Sequence, residues 1–449
     1  MARLFGTDGV RGEANRELTP ELAFRLGRAA TVYFGEHTHK QPVIIIGRDT
    51  RISGKMFESA LAAGICSAGG RAVLVGVVPT PAVAFLTRKM EAQAGVVISA
   101  SHNPYYDNGI KFFGASGYKL LDAVEDELEE IVRTMETNDT YYRPLADKVG
   151  KVEYHHEYIN EYIDYAIDTV KDSFAGMKIV MDCSNGASYE TSPIVFRQLG
   201  AEVIVIHDRP NGTNINDNCG STHIESLQKA VLDHKADIGI AHDGDADRCL
   251  AIDNKGQLID GDQIMVICTL EKIKQGTLKD NTLVTTVMSN IGLHQVIKAN
   301  GGKLEITAVG DRYVLENMLE NGYNLGGEQS GHIIFSEFST TGDGLITALQ
   351  LVSAVKRSGK TSAELAGVMT RYPQLLVNVR VGDKAGWEAN EKIKAAIMAG
   401  DQELGESGRI LVRASGTEPL IRVMAEGPNQ PQLDRICHEI ADVVKKEQG

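Results

Sequence analysis

Three aspartates at alternate positions, Asp243, Asp245 and Asp247, are the residues whose chemistry is easiest to recognise. In an extended or turning segment alternate side chains share a face, so the three carboxylates can converge on one hard cation. Oxygen ligands favour Mg²⁺ over zinc. An EF-hand is excluded because Arg248 and Asn254 occupy the sixth and twelfth positions of the loop, where that motif requires glycine and glutamate. A solvated acidic turn is the alternative that the residues leave open.

A displayed serine, Ser101, follows the apolar segment 95–98 and precedes His102, an asparagine and a proline. A serine at the end of a predicted strand is placed like a nucleophile, although a plain turn has the same composition. The GxSxG pattern of α/β-hydrolases does not occur here, so that class is disfavoured. Lys111 follows a further turn and provides a cation that can return toward the same site.

A glycine-rich segment at 326–332 carries Glu328, Ser330 and His332 after another predicted strand. These side chains can bind the hydroxyl groups of a polyol and transfer protons. A histidine with a purely structural role is the alternative, because most lone histidines are of that kind. The segment therefore indicates a functional site only in combination with the other segments.

Residues 413–419, with Arg422 beyond them, place a serine, a glycine and a threonine between two arginines. Backbone N–H groups, hydroxyls and guanidinium groups in this arrangement suit a phosphate, and a β-hairpin turn is the alternative. Neither 47–55 nor 359–361 fulfils the spacing of a Walker A motif, and no strand-linked GxGxxG occurs. A nucleotide-dependent kinase and a dehydrogenase are therefore disfavoured.

The net charge and composition of the chain limit the classes of partner that it can bind. The chain has 449 residues and a formal net charge of −14, which argues against a nucleic-acid binder and against binding to an anionic membrane. The uncharged, apolar stretch 72–87 contains two prolines and is too short to span a bilayer. The N-terminus shows no signal region, and six widely spaced cysteines without a CxxC pair predict reduced thiols, so we expect a cytoplasmic protein.

The elements that position these segments are predicted from alternating strand-like and helical runs. Strands that are apolar on both faces indicate covered sheets, with ligands beyond the carboxyl ends of the strands. We predict an α/β protein of three similar α/β units with mixed, largely parallel sheets, plus a smaller C-terminal α+β unit, around a central cleft. The predicted boundaries give units at 1–154, 155–256, 257–372 and 373–449.

Together and in this order, these segments resemble the motifs of the α-D-phosphohexomutase superfamily along nearly the whole chain. The matching segments are 5–12, 99–104, 243–248, 327–332 and 413–419. The form of segment 327–332, followed by Thr-Gly-Asp-Gly at 341–344, looks most like that of bacterial members that act on glucosamine phosphate. Members that act on mannose or glucose phosphates are the alternative within the superfamily.

The resemblance implies that Ser101 is a phosphoserine. One Mg²⁺ per chain would be bound by a phosphoserine oxygen on Ser101 and by Asp243, Asp245 and Asp247. A phosphoserine beside three carboxylates carries more negative charge than one Mg²⁺ neutralises. The cations expected to balance it are Arg11, His102, Lys111 and Arg248. Either Lys111 or His332 would serve as general base and acid, and the sequence leaves this choice open.

The resemblance also implies the substrate contacts. Glu328 and Ser330 would hold sugar hydroxyls that are common to both orientations of the substrate. The phosphate that is not reacting would be bound by Arg413, Ser415, Gly416, Thr417 and Arg422. We expect the C-terminal unit to open and close about a hinge near 372–373, because the intermediate must turn around while water is excluded.

The implied reaction has two phosphoryl transfers and a glucosamine 1,6-bisphosphate intermediate, which also serves as activator. It converts glucosamine 6-phosphate to glucosamine 1-phosphate for the amino-sugar nucleotide, UDP-N-acetylglucosamine, that cell-wall synthesis uses. A phosphoserine hydrolase and a non-catalytic sugar-phosphate sensor are the competing functions. The expected partner is a small hexosamine phosphate, with no nucleic acid and no membrane. The resemblance implies a homodimer, and either a separate kinase or the bisphosphate would first phosphorylate Ser101.

Overall fold

The first unit is an α/β layer structure built on a six-stranded sheet. The computed structural model describes residues 3–6, 8–415 and 419–449. The elements of this unit are β1 (Val10–Glu13), α1 (Pro20–Thr38), β2 (Val43–Arg48), α2 (Gly54–Ser67), β3 (Arg71–Val77), α3 (Thr80–Lys89), β4 (Ala94–Ile98), β5 (Asp107–Gly114), α4 (Asp122–Asn138) and β6 (Lys151–Tyr154). The strand order is β1-β5-β4-β2-β3-β6; β4, β2, β3 and β6 pair in parallel, and β5 is antiparallel to both of its neighbours, β1 and β4. The carboxyl end of β4 leads directly to Ser101.

The second unit has a five-stranded mixed sheet. Its elements are α5 (Ile159–Asp168), β7 (Lys178–Asp182), α6 (Thr191–Gln198), β8 (Glu202–Ile206), α7 (Glu225–His234), β9 (Ile238–Ala241), β10 (Leu250–Asp253) and β11 (Leu258–Ile259). The order is β11-β10-β9-β7-β8, with β7 parallel to both β8 and β9. The aspartate segment connects β9 to the antiparallel strand β10, so it lies at the carboxyl end of a buried strand.

The third unit repeats the pattern on four strands. Its elements are α8 (Gly261–Gln275), β12 (Thr282–Thr286), α9 (Ile291–Ala299), β13 (Lys303–Thr307), α10 (Asp311–Asn321), β14 (Leu325–Gly327), β15 (Ile333–Phe335), α11 (Gly344–Ser358) and α12 (Ser362–Ala366). The order is β13-β12-β14-β15, and only β15 is antiparallel. Segment 328–332 is therefore the connection between β14 and β15.

The C-terminal unit differs from the other three because all its strand pairs are antiparallel. Its elements are β16 (Gln374–Arg380), α13 (Glu391–Leu404), β17 (Arg409–Ala414), β18 (Leu420–Glu426) and α14 (Gln430–Gln448). The strands have the order β16-β18-β17. Helix α14 buries one face, including Leu433, Ile436 and Ile440, against this sheet, as its amphipathic pattern predicts.

The buried apolar clusters separate the C-terminal unit from the first three units. One continuous cluster of buried residues extends from Ile45 in the first unit through the second unit to Met369 in the third. The C-terminal unit has a separate cluster around Ile421 and Val423. The predicted architecture of three similar α/β units and a different tail is confirmed. Among the helices of the described residues, none combines the length and apolar content needed to cross a bilayer.

Candidate functional site

Ser101 lies in the loop after β4, where its hydroxyl meets the second unit. The Ser101 Oγ donates a hydrogen bond to Oδ2 of Asp243 at 2.5 Å, across 142 positions of sequence. Only 3 % of Ser101 is exposed. Its φ of 49° lies in the left-handed region, which serine rarely adopts. The structure thus brings together the serine and the aspartate segment, and contacts around the loop must hold this backbone conformation.

The three aspartates form a compact buried group. One carboxylate oxygen from each of Asp243, Asp245 and Asp247 lies within 4.8 Å of the others. Burial, and after it the charges of the two neighbouring aspartates, raises the pKa of Asp243 well above its ordinary value. Burial and the charge of Asp245 likewise raise the pKa of Asp247. The mutual repulsion of these carboxylates calls for a compensating cation.

The same group fits a divalent cation chemically. Asp245 Oδ1 and Asp247 Oδ1 are buried and have no hydrogen-bond partner among the described residues. A buried carboxylate oxygen without a donor is unfavourable unless an ion takes the place of that donor. All the candidate ligands are oxygens, which suits Mg²⁺. The residues present therefore fit the expected magnesium ion.

An alternating row of charges connects the aspartates to the first and third units. The row consists of Asp245, Lys111, Asp8, Lys119 and Asp311, with successive N–O distances of 3.1, 2.9, 2.7 and 2.6 Å. Burial opposes the charge of Lys111, but Asp245 and Asp8 outweigh it and raise the pKa of this ammonium above its ordinary value. Arg11 forms a further ion pair with Asp8. Lys111 is therefore a cation at neutral pH.

His102 is next to the serine but differs from the cation expected there. Its Nδ1 lies 3.4 Å from Ser101 Oγ. Burial, followed by the charges of Arg248 and Arg11, lowers the pKa of His102 to about 4. The ring is therefore neutral at pH 7 beside an unmodified serine. A phosphoryl group on Ser101 would supply an opposite charge and raise this pKa.

Arg248 and His332 come from different units and are joined by an antiparallel backbone bridge. The Arg248 N–H donates to Asp243 Oδ1 at 3.3 Å. The His332 Nε2 lies 3.7 Å from Asp311 and 4.0 Å from Asp247. Neither ring nitrogen has a hydrogen-bond partner among the described residues, although only 4 % of His332 is exposed. A buried imidazole with both nitrogens uncommitted is available to a substrate.

Glu328 and Ser330 lie in the loop beside His332. Glu328 Oε1 accepts a hydrogen bond from the Gly310 N–H at 3.0 Å, so it is adjacent to the start of α10. Ser330 Oγ is buried and has no partner within the described part of the chain. The Gln329 amide donates to the buried Asp262 at 3.1 Å, which fixes the loop against helix α8. The loop thus keeps polar atoms available near the row of charges.

Two arginines that are expected to bind the phosphate lie on the C-terminal sheet. Arg413 on β17 faces Arg422 on β18 in the antiparallel register. Burial, and then the charge of Arg422, lowers the pKa of Arg413, so an anion there would relieve an unfavourable environment. Ser415 is buried, and its carbonyl accepts a hydrogen bond from Lys384 Nζ at 2.8 Å. Gly416 and Thr417, also predicted to bind the phosphate, lie outside the described residues.

Four residues of this site were not singled out from the sequence. Asp8, Lys119 and Asp311 belong to the row of charges, and the Thr80 hydroxyl donates to Asp245 Oδ2 at 2.8 Å. Asp8 lies within the quoted segment 5–12, so its position in a motif was the available signal. The other three give no local signal, because their role depends on partners more than 100 positions away.

Family models match most of the chain. The model described as phosphoglucomutase/phosphomannomutase, alpha/beta/alpha domain I, matches residues 2–139. The corresponding models for alpha/beta/alpha domain II, alpha/beta/alpha domain III and the C-terminal domain match 156–256, 260–372 and 376–443. The four models occur in the order that a single protein of this family requires.

Curated relatives match over their full length. A phosphoglucosamine mutase of Symbiobacterium thermophilum is 54 % identical over 448 residues, which cover 100 % of both chains. A phosphoglucosamine mutase of Pelotomaculum thermopropionicum is 55 % identical over 446 residues, covering 99 % of this chain and 100 % of the relative.

Solved structures share the fold at lower identity. A phosphoglucomutase/phosphomannomutase family protein from Burkholderia thailandensis has a TM-score of 0.82 and 23 % identity, covering 99 % of this chain and 97 % of that one. An N-acetylphosphoglucosamine mutase of Aspergillus fumigatus, solved with GlcNAc-6P and magnesium, has a TM-score of 0.70 and 18 % identity, covering 99 % and 96 %. These likenesses concern the arrangement of the whole chain.

Proposed function

This chain belongs to the phosphoglucomutase/phosphomannomutase family, and on that premise we propose that it interconverts glucosamine 6-phosphate and glucosamine 1-phosphate. The resemblance to the phosphohexomutases is thereby confirmed, and the protein is an isomerase that transfers a phosphoryl group within its substrate. The observation that carries the proposal is the 2.5 Å hydrogen bond between Ser101 Oγ and Asp243 within a buried group of three aspartates. Full-length relatives of 54–55 % identity named phosphoglucosamine mutase support the choice of sugar.

A magnesium ion would be held by Asp243, Asp245, Asp247 and a phosphoserine oxygen, and when bound it supplies neutralising charge to the phosphoryl group. Lys111, 3.1 Å from Asp245, and Arg248, 3.9 Å from Asp247, add fixed positive charge beside the aspartates. Because the pKa of Lys111 is raised by Asp245 and Asp8, this side chain keeps its proton and acts as an electrostatic stabiliser. His332, whose ring nitrogens form no hydrogen bond with the described residues, is the better candidate for proton transfer.

In the first transfer, the bond between Ser101 Oγ and phosphorus breaks, and a bond from phosphorus to the free 1- or 6-oxygen of the sugar forms. His332 takes and keeps the hydroxyl proton of the sugar, and Ser101 Oγ leaves as an oxyanion that attacks the other phosphate in the second transfer. The product is glucosamine 1,6-bisphosphate. In the second transfer the bisphosphate presents its other phosphate, the same bonds exchange in reverse, and His332 returns the proton to the sugar oxygen. Atoms and charge balance over the cycle, and no nucleotide is consumed.

Substrate recognition is divided between two units. Glu328 and Ser330 would hold the sugar hydroxyls, which occupy similar places in either orientation. Arg413 and Arg422 would bind the phosphate that does not react, together with Ser415, Gly416 and Thr417. The adjacent guanidinium groups across β17 and β18 support this role, because two neighbouring cations favour a shared anion.

The units at 1–154, 155–256, 257–372 and 373–449 are the proposed domains. The bisphosphate serves as intermediate and activator, and either it or a separate kinase phosphorylates Ser101 at the start. The product feeds UDP-N-acetylglucosamine and cell-wall synthesis in the cytoplasm. The homodimer stays a prediction that sedimentation of the purified protein tests.

The decisive experiment combines mass spectrometry with turnover. Intact mass and peptide mapping after incubation with glucosamine 1,6-bisphosphate and Mg²⁺ should place one phosphate on Ser101. Ser101→Ala should abolish interconversion, whereas Ser59→Ala, at an exposed serine of helix α2, should not.

Comparison of glucosamine, mannose and glucose 6-phosphates should give the highest rate for glucosamine 6-phosphate. A glucosamine rate well below the others would assign the enzyme to mannose or glucose phosphates, and faster release of inorganic phosphate than of isomer would identify a hydrolase.

A further inference from the structure

Two carbonyl oxygens in the Ser101 loop are each held by two donors from different parts of the molecule. The Ser101 carbonyl accepts a hydrogen bond from Arg51 at 3.1 Å and another from the Asn216 side-chain amide at 2.9 Å. The Asn103 carbonyl accepts from the same two groups at 2.6 and 3.0 Å. Arg51 belongs to the first unit and Asn216 to the second, so the loop is clamped by both. We refer to Arg51 and Asn216 as the carbonyl clamp.

The first half of the clamp is fixed by buried charges. Arg51 is 1 % exposed and forms an ion pair with Asp49, which is also 1 % exposed. Asp49 accepts a hydrogen bond from Ser99 Oγ at 2.5 Å, and that oxygen in turn accepts from the Ser101 N–H at 3.0 Å. The guanidinium of Arg51 and the backbone on either side of Ser101 are therefore parts of one network.

The second half of the clamp is fixed by the second unit. The Asn216 N–H donates to the Ser184 carbonyl at 2.9 Å, and Asn216 has a φ of 57°. A Cβ atom at Gly244 would lie 2.6 Å from the Ser101 carbonyl oxygen and 2.8 Å from Asn216 Nδ2. Only glycine thus lets the aspartate segment approach this closely, and Asn216 closes the remaining space. The clamp ties the serine loop to the unit that carries the aspartates.

The geometry points to Asn216 as a positioning residue for the phosphoryl transfer, and this inference rests on the proposed function. Ser101 holds a left-handed φ of 49°, a conformation that is unfavourable for serine and persists only where surroundings impose it. By holding the carbonyls on both sides of His102, Asn216 and Arg51 fix the direction in which Oγ meets Asp243. Asn216 reaches the loop through its backbone carbonyls, so it acts on the reaction through Ser101 and not through the substrate.

The test is Asn216→Gly, which keeps a residue that tolerates a positive φ and removes only the side-chain amide. We expect kcat to fall about tenfold or more, because small displacements of a reacting group reduce rates strongly. KM should stay within about twofold, since no substrate contact is lost. Hydrogen exchange of amides 100–103 should become faster. Asn216→Asp, which keeps the shape but replaces the donor by an acceptor, serves as second variant with the same expected result.

Asn218→Gly is the matched control. Asn218 lies in the same loop with a φ of 53°, is exposed, and bonds only its neighbour Asp217 among the partners described. This variant should keep the wild-type kcat and the wild-type exchange of the serine loop. Equal kcat and equal exchange in Asn216→Gly and Asn218→Gly would overturn the inference. A raised KM with unchanged kcat would also overturn it, because it would make Asn216 a substrate-binding residue.

The measurements separate this inference from the proposed substrate. Intact-mass measurements follow the loss of phosphate from Ser101 in the wild type and in Asn216→Gly. The acceptor in both cases is whichever hexose 6-phosphate the wild type uses. If glucosamine 6-phosphate is not that acceptor, the proposed function fails while the comparison of variants still decides the role of Asn216. The hydrogen-exchange rates of amides 100–103 test the role of Asn216 without any turnover.

Discussion

At the scale of single residues, the site is organised by the pairing of buried charges. Lys111 is 2 % exposed and lies between Asp245 and Asp8, so its ammonium is held by carboxylates of two units. Removal of one partner from such a row leaves an uncompensated buried charge, which is more harmful than the loss of an exposed ion pair. The aspartate group is the exception, because its three acids outnumber the two nearby cations, Lys111 and Arg248. That excess is the physical reason to expect Mg²⁺.

Replacing Asp247 by asparagine should therefore have opposite effects without and with Mg²⁺. In the presence of a chelator the variant should unfold at a higher temperature than the wild type, because one of three repelling buried carboxylates is gone. Mg²⁺ should then stabilise the variant less, with binding at least about tenfold weaker. The thermal midpoint measured across a MgCl₂ titration reports both effects.

Asp233→Asn is the control for this titration, since Asp233 is exposed on helix α7 and paired with Lys229. It should give the Mg²⁺ dependence of the wild type. A wild-type titration curve for Asp247→Asn would show that the aspartate group does not bind the ion.

At the scale of elements, the residues just before β15 and just before α11 determine the position of the His332 ring. Gly342 lies against the His332 ring, and a Cβ atom there would be 2.4 Å from Nε2. Asp343 caps helix α11 by accepting from the Ile346 N–H at 2.9 Å and also accepts from the Tyr162 hydroxyl. The segment 341–344 therefore sets both the position of the imidazole and the start of a buried helix.

Gly342→Ala should displace the His332 ring and lower kcat about tenfold or more, because a proton-transfer group must lie within hydrogen-bond reach of its target. The phosphate content of Ser101 after incubation with bisphosphate should change less than turnover does. Steady-state rates and intact mass measure the two quantities. Gly35→Ala in α1, where the new Cβ atom has only ordinary contacts of 3.5 Å, is the control. Equal activity of both variants would contradict a role of His332 in proton transfer.

Asp343 should make the stability of the fold depend on pH. Burial raises the pKa of Asp343 from its ordinary 3.8 to about 7. Between these values the folded protein keeps a proton that the unfolded chain releases, so stability falls as pH rises. Asp343→Asn keeps an acceptor for the helix cap but cannot ionise, and should remove up to about 1.4 kcal/mol of this loss per pH unit.

Thermal midpoints of the wild type and Asp343→Asn at pH 5, 6, 7 and 8 test this, and the variant should show the shallower decrease. Asp168→Asn, at an exposed position near the end of α5, should follow the wild-type curve. A variant curve as steep as that of the wild type would assign the pH dependence to other groups, such as Asp262, whose pKa burial also raises to about 7.

At the scale of the whole molecule, one buried apolar cluster connects the first three units, the first of which also has a second cluster of its own, whereas the cluster of the C-terminal unit is separate. The chain enters that unit at 372–373, where the Tyr372 carbonyl accepts from Asn290 at 2.9 Å. The buried Glu426 accepts hydrogen bonds from Arg409 at 3.0 Å and from the Ile291 N–H of the third unit. A unit with a separate core and a small polar junction can rotate more easily than one within a continuous core.

We therefore expect the radius of gyration to decrease when a hexosamine phosphate bridges the third and C-terminal units. Small-angle scattering of Ser101→Ala with and without glucosamine 6-phosphate measures this closure without turnover. Arg413→Met, which removes one of the two arginines expected to bind the phosphate, should compact less at the same ligand concentration. An unchanged radius in Ser101→Ala at saturating ligand would contradict the hinge.

Local sequence patterns were enough to predict the α/β class, the different C-terminal unit and the segments around Ser101, Asp243, Glu328 and Arg413. These follow from local properties, because strand and helix periodicity and the clustering of acids, glycines and arginines extend over a few residues. The sequence also predicted Lys111 as a cation near the serine, though not which carboxylates hold its charge.

How the segments meet is visible only in the folded chain. The bond from Ser101 to Asp243, the pairing of Arg248 with His332, the row through Lys119 and Asp311, and the carbonyl clamp join residues of different units. The folded chain also makes His102 neutral beside an unmodified serine. The physical reason is the same throughout: charge, burial and hydrogen bonding between distant residues arise when separately folded layers pack together, and no local pattern of residues encodes that packing.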